Sequence, residues 1–176
     1  MTAKEAERKK REETLAALYE EHYDKIARYI FIRIGDQREA EDLASEVFLK
    51  ALRSLDSYQE RGLPMKAWLF KIAHNLVMDY LRKMSKRKAV PLDEVEIVDA
   101  ASPEEITELH LQVEKLSEAL KELSPAQREV ISLRFFAGLT SIEAGEILGK
   151  RPGAVREMQS LALRSLRKAL GRENQI

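Results

Sequence analysis

Apolar side chains return every three or four residues through most of this chain, a spacing that suits α-helices. Leu15, Leu18, Tyr19, Tyr23, Ile26, Ile30 and Ile34 set the pattern, predicting a first helix from about Glu12 to Ile34 that Gly35 stops. Asp36, with Glu39 three residues later, forms a capping-box-like start for a second helix. Its core stripe is Ala40, Leu43, Ala44, Val47, Phe48, Ala51, Leu52 and Leu55. Gly62 and Pro64 mark Ser57 to Pro64 as a loop, and a third helix from about Met65 to Met84 buries Leu69, Ile72, Ala73, Leu76, Val77, Tyr80 and Leu81. With 7 Gly and 5 Pro in 176 residues, a sandwich, a barrel or a Gly-rich nucleotide fold is disfavoured. An all-α protein is expected. The absence of cysteine excludes disulfides and thiolate chemistry. No apolar run approaches the roughly 18 residues of a membrane span, and Met1 to Glu13 lacks the apolar segment of a signal peptide. A soluble, intracellular, cytoplasmic protein is the expectation.

Two small helical domains follow from the middle of the chain. Ala89 to Ser102 carries Pro91, acidic clusters and no sustained period, which suits a flexible acidic linker. The expected division is 12–88, a linker over 89–102, and 103–172. Ser102, Pro103 and Glu105 give the next helix start, followed by Ile106, Leu109, Val113, Leu116, Leu120 and Leu123 at helical spacing. Ser124, Pro125 and Gln127 start another helix reaching about Phe136, which Gly138 ends, and Thr140 with Glu143 caps one more.

Net charge is zero, with 30 basic and 30 acidic residues, but the charges are segregated. From Lys71 to Lys88, the cations Lys71, Arg82, Lys83, Lys86, Arg87 and Lys88 stand against Asp79 alone, whereas Asp93 to Glu108 holds seven acids and no Lys or Arg. Lys150 to Arg172 is basic again, with Glu157 its one acid. A single such cluster would pass for a solvated helix face. Two of them, each ending a helical segment, suggest a polyanion held at two places.

Thr140 to Leu170 has the marks of a helix-turn-helix. Gly145 stands where the helices touch, Gly149 at the turn and Val155 as the anchor on the second helix, with Ile142, Ile147 and Leu148 expected on the buried side of the first. The second helix would lay its N-terminal residues in the major groove, with Arg156 the best base reader, Glu157, Gln159 and Ser160 as polar candidates, and basic groups such as Arg151 and Arg164 meeting phosphates. An ordinary helical hairpin is the plainer alternative. On the third helix, Trp68, Lys71, Asn75 and Arg82 fall on an outward stripe, with Lys83 beside it. A ring, a base-sized amide and cations form a surface for single-stranded nucleic acid, although Trp68 could equally be core. Asp79 is expected to pair with Arg82 or Lys83 within the helix. The second helix displays Asp42, Ser45, Glu46, Leu49 and Arg53 away from its core, a weak sign of protein docking.

These blocks resemble a known family. Ala40-Glu41-Asp42-Leu43-Ala44-Ser45-Glu46-Val47-Phe48-Leu49, then Ala67-Trp68-Leu69-Phe70-Lys71-Ile72-Ala73-His74-Asn75 with Asp79-Tyr80-Leu81-Arg82, resembles the second region of bacterial extracytoplasmic-function (ECF) sigma factors of the sigma-70 family. Leu123 to Ile131 through the helix-turn-helix is similar to their fourth region. The resemblance implies a sigma factor that binds core RNA polymerase and directs promoter recognition, DNA opening and transcription initiation. It places Asp42, Ser45, Glu46 and Leu49 on the polymerase clamp, and Asn75 in a pocket for a flipped minus-10 base completed by the Ser57 to Pro64 loop. Arg156, Glu157 and Ser160 match positions facing the minus-35 element. An anti-sigma partner is also implied. Ser45 stands where Gln is frequent, Met158 and Leu161 where basic residues are frequent, and Gly145 where Ala is frequent, the last expected to cost the helix about 1 kcal/mol.

A rival from another class is a stand-alone regulator whose N-terminal helices serve dimerisation or sensing and which binds a palindromic duplex without polymerase. Catalysis has weaker support. His22, His74 and His110 are widely spaced, and no HExxH, phosphate-loop or nucleophile-elbow pattern occurs. Neither a metal nor another cofactor is expected.

Overall fold

The computed structural model describes residues 1–59, 63–89 and 108–173, and among them every regular element is helical. Helix α1 (Ala3–Ile34) starts well ahead of the expected Glu12. Thr2 accepts from the Glu5 amide, and the Glu5 carboxylate accepts from the Thr2 amide at 2.6 Å, so a closed capping box nucleates a first turn that has no apolar stripe of its own. Gly35, at φ 76°, ends the helix by donating to the Phe31 carbonyl. Asp36 then caps α2 (Gln37–Arg53) through the Glu39 amide at 3.1 Å. A 3-10 turn over Leu55–Ser57 leads toward α3 (Met65–Lys88), which runs one turn beyond the expected Met84. Lys86, Arg87 and Lys88 lie in that last turn, where cations offset the helix dipole.

Beyond Ala89, the expected linker lies outside the described residues, as does the start signal Ser102, Pro103 and Glu105. Helix α4 is described over Glu108–Lys121. Ser124 and Gln127 close a second capping box at the head of α5 (Pro125–Ile131). The expected continuation to Phe136 winds differently: Ser132–Phe136 is a π turn, with the Ala137 amide reaching the Ser132 carbonyl at 2.9 Å. Gly138, at φ 67°, turns the chain out of it toward α6 (Ser141–Leu148) and α7 (Pro152–Glu173).

Helices α1, α2 and α3 pack on one another around Ile26, Tyr29, Ile30, Val47, Leu69, Phe70 and Val77, all completely buried. The Tyr29 and Phe70 rings meet edge to face, 5.6 Å between centroids. A second cluster gathers Leu120, Leu123, Ile131 and Ala162 from α4, α5 and α7. The C-terminal end of α1 serves both units, since Ile32 packs on the second cluster while Val130, Leu133 and Leu139 join the first. Two expected core positions are corrected. Leu52 is 44% exposed because it falls on the outward side of α2, three residues after the exposed Leu49, and Ile142 is 60% exposed because α6 turns its Ala144 and Gly145 side inward instead.

Candidate nucleic-acid interface

The helix-turn-helix is built around Gly145. A Cβ there would lie 2.4 Å from the Lys150 carbonyl oxygen, so a side chain would require the backbone leaving the turn to shift. Gly149 takes φ 66°, the Lys150 amide bonds the Gly145 carbonyl at 2.9 Å, and Val155 is completely buried against α6. The expected helix cost of Gly145 is therefore set against a turn that closes here without displacing the Lys150 carbonyl. Arg156, Glu157, Ser160 and Arg164 are exposed on α7, and Arg151, also exposed, lies just before its first residue. Arg156 is held by its Nη1 donating to Ser141 Oγ at 3.2 Å, a contact between the two helices that spacing alone does not reveal. Gln159 is engaged elsewhere: its side-chain oxygen accepts from Arg134 Nε at 2.7 Å, and Arg134 also donates to the Leu139 carbonyl, which ties the π turn to α7.

On α3, Lys71, Asn75 and Arg82 are exposed, and Arg82 pairs with Asp79 at 3.4 Å as expected. Trp68 is half-buried rather than outward, its ring 4.8 Å from that of Tyr58. Tyr58 in turn donates its hydroxyl to the Leu63 carbonyl at 3.0 Å, bridging the loop between α2 and α3. Trp68 lies two turns before Asn75 on α3, so this aromatic pair stands about 10 Å along the helix from the Asn75 position. Lys83 lies apart from that pair, in a groove of about 620 Å³ between α2 and α3 shared with Glu46, Asp79 and Arg87.

Asp42, Ser45, Glu46 and Leu49 are exposed along one face of α2, with Leu49 50% exposed. Tyr19 and Leu52 extend the apolar part of this region, neither predicted as part of the stripe. Tyr19, one of the residues that set the periodicity of α1, packs edge-on against Phe48, 4.9 Å between centroids, while remaining 44% exposed.

Behind these surfaces, Arg33 and Glu129 pair at 3.5 Å across the seam between the two units, 5% and 19% exposed. His74 lies beside them, 3.5 Å from the Tyr29 hydroxyl. Burial, with Arg33 adding, pushes the His74 imidazole below its ordinary value against the opposing pull of Glu129. Burial likewise pushes Tyr29 up to about 12. Among the described residues no group of His, Asp or Glu is arranged to hold a metal, and no helix is long and apolar enough to cross a membrane.

Two cationic helical faces, one of them a helix-turn-helix, define a DNA-binding protein of two helical units. Sigma-70 region 2 matches residues 18–87, and sigma-70 region 4 matches residues 119–168. The ECF RNA polymerase sigma factor BldN of Streptomyces coelicolor is 38% identical over 87% of this chain and 59% of its own length. The ECF RNA polymerase sigma factor ShbA of Streptomyces griseus is 40% identical over 76% of this chain and 73% of its own. Among solved structures, the sigma factor RpoE of Bartonella quintana, in complex with the anti-sigma factor NepR, is 25% identical with a TM-score of 0.70, covering 89% of this chain and 96% of that one. The chain belongs to the ECF sigma factors of the sigma-70 family, whose regions 2 and 4 direct promoter recognition and transcription initiation by RNA polymerase.

Proposed function

We propose that this chain acts in the cytoplasm as a non-catalytic initiation factor that divides promoter recognition between its two units, here taken as 12–88 and 103–172. The α2 face of Asp42, Ser45, Glu46 and Leu49 docks on core RNA polymerase. Duplex minus-35 DNA lies along α7, with Arg156 and Glu157 at base edges, Ser160 beside them, and Arg151 and Arg164 on phosphates. The minus-10 strand follows α3. Lys71 and Arg82 neutralise its backbone, Lys83 adds charge nearby, and Asn75 bonds a base turned out of the stack, two turns along α3 from the Tyr58–Trp68 pair. An anti-sigma protein is the natural antagonist, in keeping with the complex in which the RpoE relative was solved.

The observation that carries this reading is the exposure of Asn75 on the cationic face of α3, two turns along from an aromatic pair held to Leu63. Extruding a base costs a few kcal/mol, which bonding and stacking at Asn75 must offset. Asn75→Ala is expected to slow promoter opening, followed by permanganate reactivity of minus-10 thymines, far more than it weakens binding to closed duplex. Equal losses in the two assays would remove Asn75 from the strand-binding site.

A further inference from the structure

Residues 3–17 of α1 precede the stretch that matches sigma-70 region 2, which begins at residue 18. A short charged segment gains little from forming helix by itself. Here the Thr2–Glu5 capping box starts the helix, and Glu7–Arg11 (2.8 Å) and Arg8–Glu12 (3.0 Å) pairs run along it. Arg8 and Arg11 also reach off the helix to a common target. Arg8 Nη1 pairs with Asp56 Oδ2, and Arg11 Nη1 donates to the Leu55 carbonyl at 3.2 Å. Arg8, Arg11 and Leu15 share one helical face, and Leu15 is buried, so the core sets the register at which the two guanidiniums arrive.

Their target is the 3-10 turn that opens the α2–α3 loop. The Leu55 side chain is completely buried, and Ser57 Oγ donates to the Ser54 carbonyl at 2.7 Å. The next residue is Tyr58, whose hydroxyl holds Leu63 and whose ring lies on Trp68. A continuous set of contacts therefore runs from the start of α1, through Leu55 and Asp56, to the Tyr58–Trp68 pair, two turns before Asn75 on α3. A flexible rim would have to be ordered each time a base is captured, and that entropy would be subtracted from affinity; a rim braced in advance avoids the loss.

We propose that Arg8 and Arg11 are positioning residues for capture of the minus-10 strand, acting through the Leu55–Ser57 turn on the Tyr58–Trp68 pair. The proposal rests on the assignment of the α3 face to that strand. Its test uses the full chain assembled with core polymerase, measuring affinity for a single-stranded minus-10 oligonucleotide beside affinity for core enzyme. Arg8→Ala with Arg11→Ala is expected to weaken oligonucleotide binding roughly 3- to 10-fold while leaving core affinity unchanged. Arg8→Asp should show a similar loss, recovered when Asp56→Arg restores the pair with its charges exchanged. If core affinity falls in proportion, or if the exchanged pair recovers nothing, the arginines support the fold generally and the proposal is overturned. Asn75→Ala is the parallel control. Weakening by Asn75→Ala without weakening by the double variant defeats the brace alone, whereas no effect of Asn75→Ala defeats the strand assignment beneath it.

Discussion

Gly145 shows how one position can invert an argument from local preference. By helix propensity alone, Ala would be better by about 1 kcal/mol. The Lys150 carbonyl oxygen, 2.4 Å from where a Cβ would sit, reverses that sign, because a backbone atom at the entry to α7 cannot swing aside as a side-chain tip would. Gly145→Ala is expected to lower stability by about 1–3 kcal/mol, as overpacking does, measured as a drop in the urea midpoint. An unchanged or higher midpoint would show that the turn relaxes freely. Arg156 and Gln159 make the same point about function. Both are polar residues near the start of one helix, but Ser141 leaves Arg156 facing outward, whereas Arg134 occupies the Gln159 amide. Neither partner is within one helical turn of its residue in sequence, so periodicity could not separate the two.

At the level of elements, the helix order, the Asp36, Ser124 and Thr140 caps and the glycine stops at Gly35 and Gly149 were legible, because each is a contact over three to five residues. The start of α1 was legible in principle too. Thr2 and Glu5 form a capping pair, yet the absence of an apolar stripe before Leu15 hid the helix from a periodicity argument. The π turn had no local signal, and it packs against α1, far away in sequence. On α2, the mix of acidic residues with exposed Leu49, and with Leu52 and Tyr19 nearby, gives the proposed docking face both a specific charge pattern and an apolar centre. Leu49→Arg should therefore reduce affinity for core polymerase about tenfold or more while leaving the unfolding temperature nearly unchanged, since the side chain is already half in water. A large fall in unfolding temperature would mark Leu49 as a packing residue.

In the whole molecule, the seam is where acidity acts. His74 faces Tyr29, Arg33 and Glu129, and its imidazole is held below the ordinary value of 6.5. A chain that unfolds exposes this imidazole and binds a proton more readily, so the contribution to stability is present in full above pH 6.5 and is lost as pH falls below it. His22 acts in the same sense, its imidazole lowered by burial and by Lys66 and Lys25. Stability is expected to decline from pH 7.5 to 5.5, and His74→Gln should flatten part of that decline in thermal unfolding series; an unaltered slope would show that His74 does not carry it. Tyr29, with its phenol raised to about 12, stays neutral throughout this range.

Spacing, caps and charge blocks determined that this chain is helical, where most of its helices begin and end, and which two stretches carry cations, because those properties reside in neighbours along the backbone. Only the tertiary structure decided that Trp68 stacks on Tyr58, that Arg8 and Arg11 brace a turn at Leu55 and Asp56, and that Arg33 meets Glu129 across a seam. Each of these joins residues that helical periodicity places independently, and their meeting depends on how rigid helices pack once their apolar faces have been buried.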